Sequence, residues 1–180
     1  MNLTQETIRN EIKKIRNSLS KQEVFSLSKS ITDNVLKLNF LLNYKTYFIY
    51  NSFKNEVDTS FLISYLEKHE KTIVYPKTIG DKMIAIKPNS PRTIKGQFEI
   101  TEFVDFSEVD EVDVVFLPLL ACDLNKNRIG FGKGYYDKFL SNRNCVKIGL
   151  CYDFQVVDSI TANAWDVKLD LIITPTKIIK

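Results

Sequence analysis

The six residues Val112-Asp113-Val114-Val115-Phe116-Leu117 narrow the possible folds more than any other stretch, because they are apolar at five positions and stop at Pro118. A strand apolar at consecutive positions is covered on both faces, the habit of a parallel sheet, and proline ends its ladder. Beyond its carboxyl end the chain enters Arg128-Ile129-Gly130-Phe131-Gly132-Lys133-Gly134-Tyr135-Tyr136-Asp137, where three of the six glycines stand at every second position around one lysine. Open α/β sheets bind ligands at that edge. Without Cβ atoms, successive backbone N–H groups can turn toward one anion, and a helix starting near Gly134 adds the positive end of its dipole. Lys133 and Arg128 add full charges. The composition is that of a phosphate cradle, although the spacing is neither the Walker pattern nor that of a dinucleotide fold. A plain flexible turn between strand and helix is the alternative.

Around this centre, strands alternate with helices. Ile8, Ile12, Ile15 and Leu19 recur at helical spacing, and Ser20-Lys21-Gln22-Glu23 is a capping box opening a second helix to about Leu38. Strands are predicted at 46–50, at 72–75 closed by Pro76, at 83–86, at 146–152 and at 169–174. A helix follows Asp58 and Thr59, and another covers about Tyr135 to Leu140; a short helix or turn lies between Phe154 and Ile160. Residues 87–110 read as a long connection with short strand pieces near Phe98 to Phe103. The class is α/β with a mainly parallel sheet, in a single domain over 1–180.

Composition excludes several partners. A net charge of +3, from 25 basic and 22 acidic residues with no block of one sign, argues against nucleic acid. No apolar run approaches the ~20 residues of a membrane span, and the first nineteen residues lack the apolar centre of a signal sequence. Cys122, Cys145 and Cys151 are odd in number without paired C-x-x-C spacing, which points to a reducing cytoplasm rather than to disulfides or zinc. His69, the only histidine, sits in a charged helix end and is assigned no chemistry.

The glycine stretch, preceded by Leu117-Pro118-Leu119-Leu120-Ala121-Cys122-Asp123, resembles the signature of the 5-formyltetrahydrofolate cyclo-ligases, also called methenyltetrahydrofolate synthetases. Ile8-Arg9, Arg16-Asn17-Ser18-Leu19-Ser20, Asn55-Glu56-Val57-Asp58-Thr59 and Trp165 to Thr174 are similar to further family elements in the same order. The resemblance implies a three-layer α/β/α fold of the sugar-phosphate isomerase and CoA transferase type. It also implies ATP- and Mg²⁺-dependent closure of 5-formyltetrahydrofolate to 5,10-methenyltetrahydrofolate. By the same resemblance, Arg9, Arg128, Ile129, Gly130, Phe131, Gly132, Lys133, Gly134, Tyr135 and Tyr136 would hold ATP, with Lys133 and Arg128 acting on the transferred phosphoryl group. Asn51, Glu56 and Tyr135 would hold the folate, and Asp137 and Asp170 the magnesium. Gln5 stands where some members carry a lysine. The partners implied are small molecules, a reduced folate and ATP, with no obligate protein partner. A sugar-phosphate isomerase on the same fold would need no ATP. A non-catalytic nucleotide- or folate-binding relative would be expected to lack Lys133, Asp137 or Asp170, and all three are present.

Overall fold

Alternation along the central strands divides the core in two. In β1 (Thr46–Ile49), β7 (Val114–Pro118) and β11 (Leu171–Ile173), the side chains of Tyr47, Ile49, Val114, Phe116, Leu171 and Ile173 enter one apolar cluster. Phe48, Val115, Leu117 and Ile172 enter another. Successive strand side chains point to opposite faces, so both faces of this sheet are covered, as the apolar run at 112–117 predicts. The chain is seen in a computed structural model that describes residues 4–95 and 101–180.

On the first face lie α2 (Lys21–Val35) and α3 (Ser60–Lys68), through Ile31, Val35, Leu62 and Leu66. The second face takes Phe139 and Leu140 of α4 (Tyr135–Leu140). The first helix, α1 (Gln5–Ser18), joins neither cluster; its Ile8 and Ile12 pack with Leu120, Ala121 and Ile129 just ahead of the glycine loop. The remaining strands are β2 (Thr72–Ile79), β3 (Lys82–Pro88), β4 (Thr93–Lys95), β5 (Thr101–Phe103) and β6 (Phe106–Glu108), then β8 (Ala121–Cys122), β9 (Arg128–Ile129), β10 (Val146–Leu150) and β12 (Ile178–Ile179). Eight of the twelve form one sheet in the order β12-β11-β10-β7-β1-β2-β3-β6. The pairs from β11 to β2 are parallel and the outer three antiparallel. The fold is mixed α/β around a mostly parallel sheet.

Ser20 and Glu23 form the predicted capping box, the hydroxyl accepting from the Glu23 N–H and the carboxylate from the Ser20 N–H at 2.8 Å. Three expectations change. β2 runs through Pro76 to Ile79, because β1 pairs only as far as Val74 and a segment with one neighbour tolerates a missing N–H. α2 stops at Val35, three residues short of Leu38. In α1 the buried positions are Ile8, Ile12 and Arg16, whereas Ile15 is 45% exposed. The strand piece expected near Phe98 lies outside the described residues, and its end is β5.

Candidate active site

A two-stranded ribbon launches the glycine loop. β8 leaves the carboxyl end of β7 and pairs with β9, Cys122 opposite Arg128. Asp123, 1% exposed, fixes the turn between them: Oδ1 accepts from the Asn127 N–H, and Oδ2 from the Asn127 amide and the Ile160 N–H, each at 2.9 Å. The loop then needs backbone conformations that L side chains rarely adopt, φ 96° at Gly132 and φ 66° at Gly134. Gly134 caps α4, which spans Tyr135–Leu140 as expected.

The loop walls a cavity of about 250 Å³, below the ~300–1,000 Å³ typical of sites enclosing a drug-sized ligand, so it has room for part of one substrate rather than for two. Arg128 to Asp137 all line it, as do Arg9 and Gln5 of α1, Pro118 at the end of β7, Met83 of β3, and Asn163, Trp165 and Asp166. Arg9 is fixed by two hydrogen bonds and lies against Gly132. Its Nε donates to the Gly130 carbonyl at 3.0 Å, its Nη2 donates to Gln5 Oε1 at 2.9 Å, and its guanidinium carbon lies 3.9 Å from where a Cβ on Gly132 would be. Gln5 in turn donates to the Thr161 carbonyl at 2.9 Å, so the residue standing in place of a lysine orients Arg9 and ties α1 to the segment carrying Trp165. Lys133 is exposed, its Nζ 5.9 Å from the centre of the Tyr135 ring. Ile129 is buried in the cluster beneath, and its carbonyl accepts from the Leu120 N–H at 2.8 Å. Tyr135 reaches across to the Gly80 carbonyl at 3.4 Å, closing the wall against the β2–β3 turn.

Arg128 and Asp137 face each other. Arg128 Nη2 donates to Asp137 Oδ1 at 2.8 Å and Nη1 to the Val167 carbonyl at 2.5 Å, while the Val167 N–H donates to the same Oδ1 at 3.0 Å. Among the described residues both hydrogen bonds to the Asp137 carboxylate thus fall on one oxygen. Asp170 is not brought to this cavity. It precedes β11, level with Lys147, which pairs with Val115 three residues below Pro118, and its Oδ2 accepts from the Lys147 N–H at 2.7 Å and ammonium at 3.0 Å. The two aspartates expected to share one magnesium ion are thus held by different partners, and only Asp137 lines the cavity. Among the described residues no three His, Cys, Asp or Glu side chains are placed to hold a metal ion.

The expected folate residues lie behind the loop rather than in the cavity, Tyr135 excepted. Asn51, half-buried, follows the end of β1. Glu56 is 8% exposed and accepts from the Phe53 N–H at 2.9 Å. Burial pushes its carboxyl above the ordinary range, against the opposing pulls of that hydrogen bond and of Arg16. Tyr136, a wall of the cavity, is close enough for the Glu56 charge to add to the burial that raises its phenol. Asn55 ties this segment to α1, its amide donating to the carbonyls of Arg16 and Leu19 at 2.9 and 2.8 Å. Sequence reading missed the orienting role of Gln5, four residues before Arg9 on the same helical face, and the lining positions Asn163 and Asp166, where the Asp166 carboxylate accepts from the Asn163 N–H three residues earlier.

Residues 2–175 match the model of the 5-formyltetrahydrofolate cyclo-ligase family. A 5-formyltetrahydrofolate cyclo-ligase of Haemophilus influenzae is 31% identical over 174 residues, covering 90% of this chain and 92% of that protein. One from Mycoplasma pneumoniae is 36% identical over 132 residues, 72% of each chain. Among solved structures, the 5,10-methenyltetrahydrofolate synthetase of Aquifex aeolicus superposes with a TM-score of 0.86 at 32% identity, over 98% of this chain and 92% of that one. The M. pneumoniae synthetase gives 0.80 at 32% identity, over 96% and 99%. On these matches the chain belongs to the 5-formyltetrahydrofolate cyclo-ligase family of enzymes.

Proposed function

We propose that this chain closes 5-formyltetrahydrofolate to 5,10-methenyltetrahydrofolate in the cytoplasm at the expense of ATP, releasing ADP and phosphate. The observation that carries the reading is the convergence of Arg9, the three loop glycines, Lys133 and Asp137 on one cavity at the carboxyl edge of the sheet. The N-formyl group is an amide, whose resonance loads its oxygen with electron density and leaves its carbon a poor electrophile. The oxygen has to become a leaving group. Attack of that oxygen on the γ-phosphorus expels ADP and gives an iminium phosphate; the N10 lone pair then adds to the formyl carbon, N10 gives up its proton, and the C–O bond breaks to release phosphate.

Phosphoryl transfer asks the protein for position and charge rather than for a general base. The backbone N–H groups around Gly130, Gly132 and Gly134 and the Lys133 ammonium face the charge on the equatorial oxygens. Arg9, clamped by Gln5 and the Gly130 carbonyl, keeps that backbone in place. Magnesium takes one or two carboxylates together with phosphate oxygens and water, and the donor set here, one carboxylate with its hydrogen bonds gathered on Oδ1, fits an ion that arrives with ATP. Asp137 would hold it, and its chemistry is neutralisation of the phosphates. Glu56 receives the donor edge of the folate ring behind the loop.

The test is incubation with 5-formyltetrahydrofolate, with and without ATP and Mg²⁺, following the near-ultraviolet absorbance of the methenyl product. Product is expected only with both present. Equal product without nucleotide would remove the phosphoryl-transfer mechanism.

A further inference from the structure

Arg16 is the least satisfied charge in the protein's described interior. It is 6% exposed, its guanidinium makes no hydrogen bond among the described residues, and its Nε is fully inaccessible and unpaired there. A guanidinium N–H that is dry and unpaired is costly to bury unless something accepts from it. Two neighbours show which way the side chain points. The guanidinium carbon sits 5.5 Å from the centre of the Phe131 ring, at the heart of the glycine loop, and its charge acts on Glu56 without closing an ion pair. The backbone on both sides is fixed: the Asn55 amide holds the Arg16 and Leu19 carbonyls, and the Phe53 N–H holds Glu56. A guanidinium under the Phe131 ring is thus held near a carboxylate that it does not touch.

That arrangement has a chemical complement. The pyrimidinone edge of a reduced folate presents two N–H donors next to one carbonyl oxygen, and a carboxylate beside a guanidinium matches that order. We infer that Arg16 is the second polar arm of the folate subsite, donating to the ring's 4-oxo group while Glu56 takes the neighbouring N–H donors. The assignment rests on the cyclo-ligase reading given above. It makes Arg16 a specificity residue, because the guanidinium has no lone pair to offer an amino group at the same ring position. A site built to hydrogen-bond one group rejects an analogue that leaves it unpaired.

The experiment compares 5-formyltetrahydrofolate with its 4-amino counterpart, 5-formyltetrahydroaminopterin, by equilibrium titration of the full chain with ATP binding measured in parallel. The parent is expected to prefer the 4-oxo ligand at least tenfold. Arg16→Met is expected to weaken the 4-oxo ligand tenfold or more, to leave the 4-amino ligand within about threefold, and to keep ATP affinity within about twofold, so the preference collapses. Arg16→Lys, which retains the charge and the stem, provides the same measurement should the methionine variant not fold, and is expected to keep only part of the preference. A folded variant with the parental ratio of the two affinities overturns the role of Arg16 while leaving the cyclo-ligase reading intact. A parent that binds neither folate overturns that reading and this assignment with it.

Discussion

Arg128 Nη2 and Asp137 Oδ1 stand 2.8 Å apart, and the Val167 backbone closes the pair from both sides with one acceptor and one donor. Two residues that family resemblance assigns separately, one to the nucleotide and one to the metal, are one unit that also fastens the segment leading into β11. Asp137→Asn is therefore expected to act twice. It lowers stability by about 1.5–3 kcal/mol, the range for a hydrogen bond to a charged group, and it weakens the apparent affinity for Mg²⁺ at fixed ATP. Asp170→Asn lowers stability by less than about 1 kcal/mol, since its pair with Lys147 is half-exposed, and leaves the Mg²⁺ dependence unchanged. Thermal melts and metal titrations of the two variants separate the roles; equal loss of metal affinity in both would restore the two-aspartate site.

Lys133 lies between two glycines that offer no side chain to shield a phosphate. If its charge meets the transferring group, Lys133→Ala lowers kcat by roughly 10²- to 10³-fold with a smaller change in the KM for ATP. Lys133→Arg rescues this only in part, because the guanidinium is broad and its charge spread. Single-turnover ADP formation is the measurement, and a folded alanine variant within a few-fold of the parent would relieve the loop of the chemistry.

Glu56 carries a pH signature. Its carboxyl is raised in the folded state, first by burial, so the fold favours the protonated form relative to the unfolded chain. The associated stability is fully present below the ordinary glutamate pKa and is lost as pH rises through the raised value. Relative to Glu56→Gln, which does not titrate, the parent is expected to lose stability across that window. Folate affinity runs the other way, since the ionised carboxylate is the better acceptor for N–H donors, and Glu56→Gln weakens folate more than ATP. Denaturant titrations at several pH values on both proteins check the first half; a pH-independent stability difference would place Glu56 in an ordinary solvated setting.

Gly149 in β10 supplies a stability prediction free of the site. A Cβ there would stand 2.6 Å from Leu169 Cδ1 and 2.8 Å from Leu119 Cδ2, in the packed second cluster. Gly149→Ala is expected to lower stability by about 1–3 kcal/mol through overpacking, with kcat unchanged at temperatures where the variant stays folded. An unaltered Tm would mean the two leucines retreat without strain.

How far the sequence reveals this molecule depends on the range of the forces involved. The run at 112–117, the capping box at Ser20 and the α4 limits are set by neighbours within one element, and each is readable from residue order. Arg16 was not. Helical periodicity ranks Ile15 above a charged residue for burial, and only the tertiary approach of Phe131 and the Asn55 segment turns the helix so that Arg16 points inward. The β8–β9 ribbon has two residues per strand, too few to show alternation. The level of Asp170 in the sheet depends on its register with Lys147, which linear spacing from Asp137 does not encode.

If Arg9 meets the phosphates and Arg16 the folate ring, α1, which also carries Gln5, works as a ruler laid across both substrate ends. Arg9 and Arg16 are two turns apart on one face, roughly 10 Å along the axis, and the distance between phosphate loop and folate ring is written into that count of residues. Changing an amino acid between them alters a contact; adding or removing one rotates Arg16 by about 100° and takes it from under Phe131 altogether. Substitutions of exposed side chains such as Asn10, Glu11 and Lys14 are therefore expected to be tolerated in this stretch where a change of length is not. The helix that touches the central sheet least is thereby the one least able to tolerate an insertion.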